Sequence, residues 1–386
     1  MKKLHPIFLF LLFFSCNEDT ELISEPEPIA FERVQPNLSG HRGNVGNLAV
    51  YHDRLYYSNV QNPGYFTTSG GHTQFDMNTY NMDMGQAIDE HFLIGPLRDL
   101  KTLVFNPTQN FSSTFANRLN ITTIPGVPED AILALGNMFK LNFGLNENHF
   151  LFTYQSSTGT KALIVELNIV ETPNVARVLM NPAQGQQVLN VTPINFQIDV
   201  SNNNHIEVGR VFPYKEGWVA STWISSLAVP LYISKDGSAK VIPQGHDIME
   251  KRISFISLEH SPSGELFATT ETELFYSQTG NVEDLTPIAQ SNQWMRIRFI
   301  GDRLVCFVGM DIIYEIINYK DSETIDLRLL ENKGLEDLLI RDIELFNGKV
   351  YLATNAGLFT KLLEDFWEEK MVPSGGTMGL PIERLK

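Results

Sequence analysis

The sequence predicts an all-β fold, a single β-propeller of about seven four-stranded blades. Three observations predict it. One device recurs along the chain: a short hydrophobic strand, a two-residue polar or glycine turn, and a second hydrophobic strand. Its turns fall near residues 53, 147, 216, 263, 301 and 347, and the first interval, 94 residues, is twice 47. A period of about 40 to 50 residues built only of strands is a propeller signature. The hairpins also lack the three-four apolar spacing that helical repeats of similar length require.

The elements follow in order. The first hairpin runs from Leu48 to Tyr57 and turns at Asp53-Arg54; the second runs from Leu145 to Phe152 and turns at Glu147-Asn148. Val211 to Ala220 turns at Glu216-Gly217, and Glu259 to Ala268 at Ser263-Gly264. Ile297 to Cys306 turns at Gly301-Asp302, and Ile343 to Leu352 at Asn347-Gly348. The doubled first interval implies a degenerate unit around Leu100 to Asn120, and the 69-residue interval before Glu216 implies an insertion. A ring must also close, because a free first and last blade would expose two sheet edges. Phe31-Glu-Arg-Val and Ile382-Glu-Arg-Leu are the candidate closing strands.

Lys2 and Lys3 precede an apolar run, Ile7 to Phe14, that stops at Ser15-Cys16. This is the charged, apolar, small-residue pattern of a secretory signal peptide. With a cysteine after the cut, it resembles the lipobox of bacterial lipoproteins, although Phe13 and Phe14 stand where that family prefers Leu and a small residue. Asn17-Glu18-Asp19 resembles the acidic surface-export signals of the Bacteroidetes. The resemblance implies a leader over 1–15, a lipid on Cys16, and a place at the outer membrane or cell surface of a Gram-negative bacterium. One acyl chain holds a protein only marginally, so a multiply acylated cysteine is the adequate anchor. The alternative is an ordinary signal peptide cut near Ser15. Residues 16–37, acidic and broken by Pro26, Pro28 and Pro36, read as a tether, with the propeller over 38–386.

Two further resemblances concern the repeats. Val350-Tyr-Leu-Ala-Thr-Asn-Ala-Gly357-Leu-Phe resembles the strand-turn-strand core of two-component-regulator propeller repeats, and Leu266 to Phe275 is a copy without the glycine. Ser234-Lys-Asp236-Gly237-Ser238 resembles the Asp-box turn of sialidase-type propellers, with Ser238 for the second glycine and Val241 where an aromatic belongs. Ser277-Gln-Thr-Gly280 repeats it with the aspartate lost. Both imply the fold and leave the activity open.

The 386 residues are 43% hydrophobic and 19% charged, which is globular composition. No apolar run beyond the leader reaches the roughly 18 to 20 residues that span a bilayer. Losing Lys2 and Lys3 with the leader leaves 27 basic against 45 acidic residues, a charge of −18. Such a chain is repelled by nucleic acid and by anionic headgroups. Of two cysteines, Cys16 is assigned to lipid, and Cys306 in Leu304-Val-Cys-Phe-Val308 reads as a buried small hydrophobe.

No phosphate-binding loop, dinucleotide fingerprint, HExxH, GxSxG or EF-hand pattern is present, and no cofactor is expected. Gly40 to Gly46 is glycine-rich but opens no strand-to-helix unit, so it reads as the start of the first blade. Pro63 to His91 holds His72, Asp76, Asp83, Asp89, Glu90 and His91 without the spacing of a known metal site. It reads as a long loop on one face of the ring, with no metal. Long loops carry binding, so Tyr65, Phe66 and Tyr80, with His72, are the candidate ligand-binding residues, the aromatics stacking on a sugar or peptide. Deleting Tyr65 to Tyr80 is then expected to spare the thermal transition. Trp218 reads as core, while Trp294 and Trp367 lie in or beside strands.

The leading expectation is a lipid-anchored, non-catalytic binding protein that presents loops to a protein or glycan partner. An enzyme, a glycan hydrolase or lyase, would place polar residues in the central funnel. Three or more convergent charges there favour it, although the Arg-Ile-Pro motif of sialidases is absent. A structural subunit of an envelope complex is the third reading, favoured by an exposed apolar patch.

Overall fold

The structure is a computed structural model. It describes residues 28–34, 45–51, 53–59, 64–74, 86–87, 92–96, 99–107, 117–133, 144–146, 149–167, 169–172, 175–178, 188–196, 206–224, 227–242, 254–308, 310–319, 325–370 and 382–384.

Among the described residues, seven sheets of four or five strands follow one another along the chain, antiparallel except for one added strand. Blade 1 holds Val45–Tyr51, Arg54–Asn59, Gly64–Thr67 and His72–Gln74, and blade 2 holds Gln86–Ala87, Phe92–Pro96, Thr102–Pro107 and Asn117–Asn120. In blade 3, Ile132–Leu133 and Gly144–Asn146 share one edge of His149–Ser156, followed by Gly159–Leu167 and Val188–Pro193. Blade 4 is Ile206–Tyr214, Gly217–Ile224, Leu227–Ser234 and Ser238–Val241, with Asn195–Phe196 added parallel to the last. Blade 5 is Ser257–His260, Leu266–Thr269, Glu273–Ser277 and Thr286–Ser291; blade 6 is Met295–Ile300, Arg303–Val308, Ile312–Ile317 and Asp326–Leu329. Blade 7 is Ile340–Phe346, Lys349–Thr354 and Gly357–Leu362. The chain is a β-propeller.

Blade 2 is the degenerate unit implied by the doubled interval. The insertion in the long interval is the separate hairpin Ile169–Thr172 and Val175–Val178, between the last two strands of blade 3.

Closure uses one of the two expected strands. Glu32–Arg33 pairs with the third strand of blade 7, Glu32 opposite Thr360 and Arg33 opposite Phe359. Glu32 and Arg33, which also fall within the span read as tether, are therefore part of the sheet. Ile382–Arg384 adds instead a fifth strand to the outer edge of blade 5, opposite Ala289 to Ser291. Phe31 is buried and meets Phe366 edge to face at 6.2 Å, and its N–H bonds the Lys333 carbonyl at 2.8 Å.

The core lies between blades. Trp218, Leu231 and Ile233 of blade 4 pack with Leu151 and Ile164 of blade 3; Phe255 and Phe275 of blade 5 pack with Tyr214 and Val219 of blade 4. Ile340, Ile343 and Leu352 of blade 7 face Val305 and Phe307 of blade 6. Middle strands are covered on both faces, and so read as continuous apolar runs rather than alternating ones. Arg303–Val308 is such a strand, and Cys306 in it is a fully buried free thiol whose titration burial pushes up.

The turns behave as their residues require. Asn347 and Gly348 both take positive φ, 49° and 72°, the type I′ geometry that matches strand twist. In the Asp-box-like turn, Asp236 accepts the Ser238 N–H at 2.8 Å while Gly237 sits at φ 81°. The bonds from Ser234 and Ser238 hold the Asp236 carboxyl below its ordinary value.

Candidate functional site

The first strand of each blade runs along the axis of the ring, and alternation sorts its side chains. In Met295–Ile300 of blade 6, Met295 and Ile297 are buried between blades, so Arg296 and Arg298 face the axis. In Ile340–Phe346 of blade 7, Ile340, Ile343 and Phe346 are buried, which leaves Asp342 and Glu344 on the axial side; a register shift after Ile340 accommodates Arg341. Glu259 comes from the first strand of blade 5, and Arg210 from a register shift in that of blade 4. Seven charged side chains from four consecutive blades thus converge on one channel.

Arg298 organises them. Its guanidinium reaches Glu259 at 2.9 Å, Asp342 at 3.1 Å and Glu344 at 3.6 Å, and its Nε donates to the Ile343 carbonyl at 3.1 Å. Asp342 spends its other oxygen on blade 1, accepting the Leu48 N–H at 2.8 Å. Burial works against the charge on Arg298, but Asp342, Glu259 and Glu344 outweigh it and hold the guanidinium charged. Burial raises the Glu259 carboxyl despite Arg298. Glu344 is pushed up to about 7, by burial first and then by the charges of Asp342 and Glu259.

Three further arginines lie outside that pairing. Arg210 Nη1 donates to the Ile256 carbonyl and Arg296 Nη1 to the Arg341 carbonyl. Burial lowers Arg210 to about 10, and burial with the charges of Arg210, Arg341 and Arg298 lowers Arg296 to about 9, Asp342 acting the other way on both. Burial also lowers Arg341. The Nε atoms of Arg296 and Arg341 are buried with no hydrogen-bond partner among the described residues. The Trp294 ring lies 4.3 Å from the Arg296 guanidinium. By contrast, the first strands of blades 1, 2 and 3 contain no charged residue.

The residues singled out in the sequence lie elsewhere. Tyr65 and Phe66 are not on a loop: they belong to the third strand of blade 1, and His72 to its fourth. Phe66 is buried, stacks on His72 at 4.6 Å and packs against Tyr351 of blade 7 at 6.3 Å. Its apolar ring is consumed by the joint between blades 1 and 7. Tyr57 Oη and His72 Nε2 are 2.8 Å apart, and burial holds the imidazole below its ordinary value. Tyr65 lies under the Arg54 guanidinium, 4.5 Å from its ring centre. Tyr80 and Cys16 lie outside the described residues, as do Asp76, Asp83, Asp89, Glu90 and His91. Trp218 is core, as its turn-adjacent position suggested. Among the described residues no cluster of three or more His, Cys, Asp or Glu side chains is placed to hold a metal ion.

The channel charges were within reach of the sequence. Arg298 and Glu344 each stand in the first strand of a recognised hairpin, on the side opposite its buried residues.

No protein-family model matches the chain, and no curated protein matches it. Solved structures do. A virginiamycin B lyase from Staphylococcus aureus shares 9% identity at a TM-score of 0.55, over 86% of this chain and 99% of that one. The extracellular domain of a one-component system from B. thetaiotaomicron shares 12% identity at a TM-score of 0.50, over 86% of this chain and 40% of that one. The Cps50 (Swd1) β-propeller domain of a Myceliophthora thermophila protein shares 11% identity at 0.51, over 86% and 98%. At such identities the likeness is one of fold, and the fold these structures share with the chain is the β-propeller.

Proposed function

We propose that this chain is an extracytoplasmic binding propeller, lipid-anchored through Cys16, that takes part of a protein or glycan partner into its axial channel. One observation carries the placement: charged side chains of four blades converge on the channel, whereas Tyr65 and Phe66, expected on a binding loop, are built into blade 1. The Lys2-Lys3 leader ending at Ser15-Cys16 supports the anchor. The B. thetaiotaomicron neighbour, described as an extracellular domain, is in keeping with a place outside the cytoplasm. The test is a pull-down from membranes after mild crosslinking, with intact protein and with Arg298→Met. Cys16→Ala should move the protein to the soluble fraction and end fatty-acid labelling. A partner captured equally well by the Arg298 variant overturns the channel as its site.

A second reading, an enzyme of the same channel, is favoured by Glu344. A carboxyl pushed up to about 7 beside a guanidinium at 3.6 Å is poised for proton transfer near neutral pH. The channel also has more than three convergent charges. Three of them, however, are carboxylates held by one arginine, which is the geometry of a structural ion-pair network. Turnover lost in Glu344→Gln while binding persists would establish the enzyme.

A further inference from the structure

We propose that Arg210, Arg296 and Arg341 form an anion-binding arc in the channel, and that it receives the carboxylate of an acidic saccharide whose ring lies beside Trp294. The inference rests on the binding reading above and names the chemistry of the ligand.

The starting point is an imbalance of charge. The chain carries a formal −16, yet the channel gathers Arg210, Arg296, Arg298 and Arg341 against Glu259, Asp342 and Glu344. The three carboxylates are drawn to Arg298, at 2.9, 3.1 and 3.6 Å. The other three arginines are left with backbone carbonyls or with no partner at some donors. A guanidinium has five N–H donors. Carbonyls of Ile256 and Arg341 take one each from Arg210 and Arg296, and the Nε atoms of Arg296 and Arg341 are buried without a partner among the described residues. A buried donor left unmade carries a desolvation cost that an acceptor entering the channel removes.

Mutual repulsion points the same way. Arg210, Arg341 and Arg298 act on Arg296 at once and Asp342 offsets them in part, so a bound anion lowers the energy of several guanidiniums together. A second cluster gives the comparison: Glu315, buried in blade 6, binds both Arg303 and Arg328, the Arg303 pair at 2.5 Å, although the Arg328 Nε also stays buried without a partner among the described residues. Asp342 acts on Arg210 and Arg296 through space, but among the described residues no carboxylate is hydrogen-bonded to either of them or to Arg341 as Glu315 is to Arg303.

The same surroundings select the anion. Asp342, Glu259 and Glu344 stand close enough to Arg298 that a dianion would meet strong like-charge repulsion, whereas a single carboxylate fits the guanidinium fork and adds only one charge. Trp294 is half-buried immediately before the strand that carries Arg296, and its indole would supply the flat apolar surface on which a sugar ring packs. The first strands of blades 1 to 3 contain no charged residue, so the charges that select the ligand come from blades 4 to 7.

The test is calorimetric titration of the full mature chain with methyl β-D-glucuronide. The methyl ester of the same glucuronide, methyl glucoside and inorganic phosphate serve as comparisons. Binding of the glucuronide, with little or none of its neutral ester, supports the proposal; phosphate binding more tightly than glucuronide overturns the carboxylate assignment. Arg296→Gln should weaken glucuronide roughly tenfold or more, Arg296→Lys less, and the surface change Lys240→Gln not at all. Should Arg296→Gln fail to fold, the Trp294 emission of the intact protein decides: glucuronide must shift it, and the shift must vanish in Trp294→Phe. Unaltered affinity in a folded Arg296→Gln, or no glucuronide binding to intact protein, overturns the arc. In that last case, a partner still captured in the pull-down keeps the binding reading standing, and no partner at all removes both.

Discussion

Arg298 donates its Nε to the carbonyl of Ile343 at 3.1 Å across 45 residues of sequence, one repeat of the ring. Arg296 reaches Arg341 across the same 45, and Arg210 reaches Ile256 across 46. The axial arginines thus staple the first strand of one blade to that of the next. Their charge then has to be matched inside the channel, and among the described residues only Arg298 is ion-paired there with carboxylates.

Removing that match should be costly. Arg298→Met leaves Glu259, Asp342 and Glu344 facing one another without a cation. A fully buried pair broken this way loses about 3–5 kcal/mol. Arg298 keeps 27% of its side chain exposed, so we expect about 2–4 kcal/mol by urea denaturation. Combining it with Glu259→Gln and Glu344→Gln should recover part of the loss. No recovery would place the effect in packing rather than charge.

The pH dependence follows from Glu344. Its folded carboxyl titrates at about 7, above its ordinary 4.5, so the folded state binds more protons than the unfolded one between those values. Stability from this group is therefore present at low pH and lost as pH rises through about 7. The loss is on the order of 1–3 kcal/mol. Burial of His72 and His260, which lowers both, acts in the opposite direction as pH falls through about 6.5. Comparing intact protein with Glu344→Gln at pH 5 and pH 8 isolates the carboxyl. The variant should gain on the intact protein as pH rises, and parallel curves would reject the assignment.

Deleting residues 64–74 should abolish the thermal transition. The segment comprises the third and fourth strands of blade 1 and carries Phe66 into the joint with blade 7. A melting temperature close to that of the intact protein would show that these residues lie on a loop after all.

Phe31→Ala should lower stability by about 3–5 kcal/mol, the usual cost of emptying a buried phenylalanine site. The ring is 5% exposed, packs in the cluster with Leu330, Leu335 and Phe366, and holds the closing strand in place. Removing residues 28–34 altogether should bare the edge of Gly357–Leu362 and produce concentration-dependent association, seen by light scattering.

Much of the fold was legible because a hairpin is a local object. Asn347-Gly348 sets its own turn, and the strands on either side read from period two. Phe31 to Val34 was readable as a closing strand because a ring demands one, but the destination of Ile382–Arg384 was not, since an outer edge on blade 5 satisfies the same strand. The site was less legible. Tyr65 and Phe66 sit between Gly64 and a run of polar residues, which mimics a loop; only pairing with Tyr56 and Leu55 makes them a strand. Arg298, Glu259 and Asp342 stand 39 and 44 residues apart in sequence and become neighbours only when blades 5, 6 and 7 are placed side by side.

The closing strand has a mechanical consequence. Arg33 bonds the Ala356 carbonyl across 323 residues, so ends of the chain far apart in sequence are joined by one short strand. Tension applied to the N-terminal end, as by a pull on a surface tether, falls first on Glu32–Arg33 before any other blade is loaded. Two residues paired to one neighbour form a weak clasp, reinforced by the Phe31 ring seated beneath them. Under load the ring should unlatch at that point and open between blades 7 and 1, the same joint that Asp342 and Leu48 span at the axis.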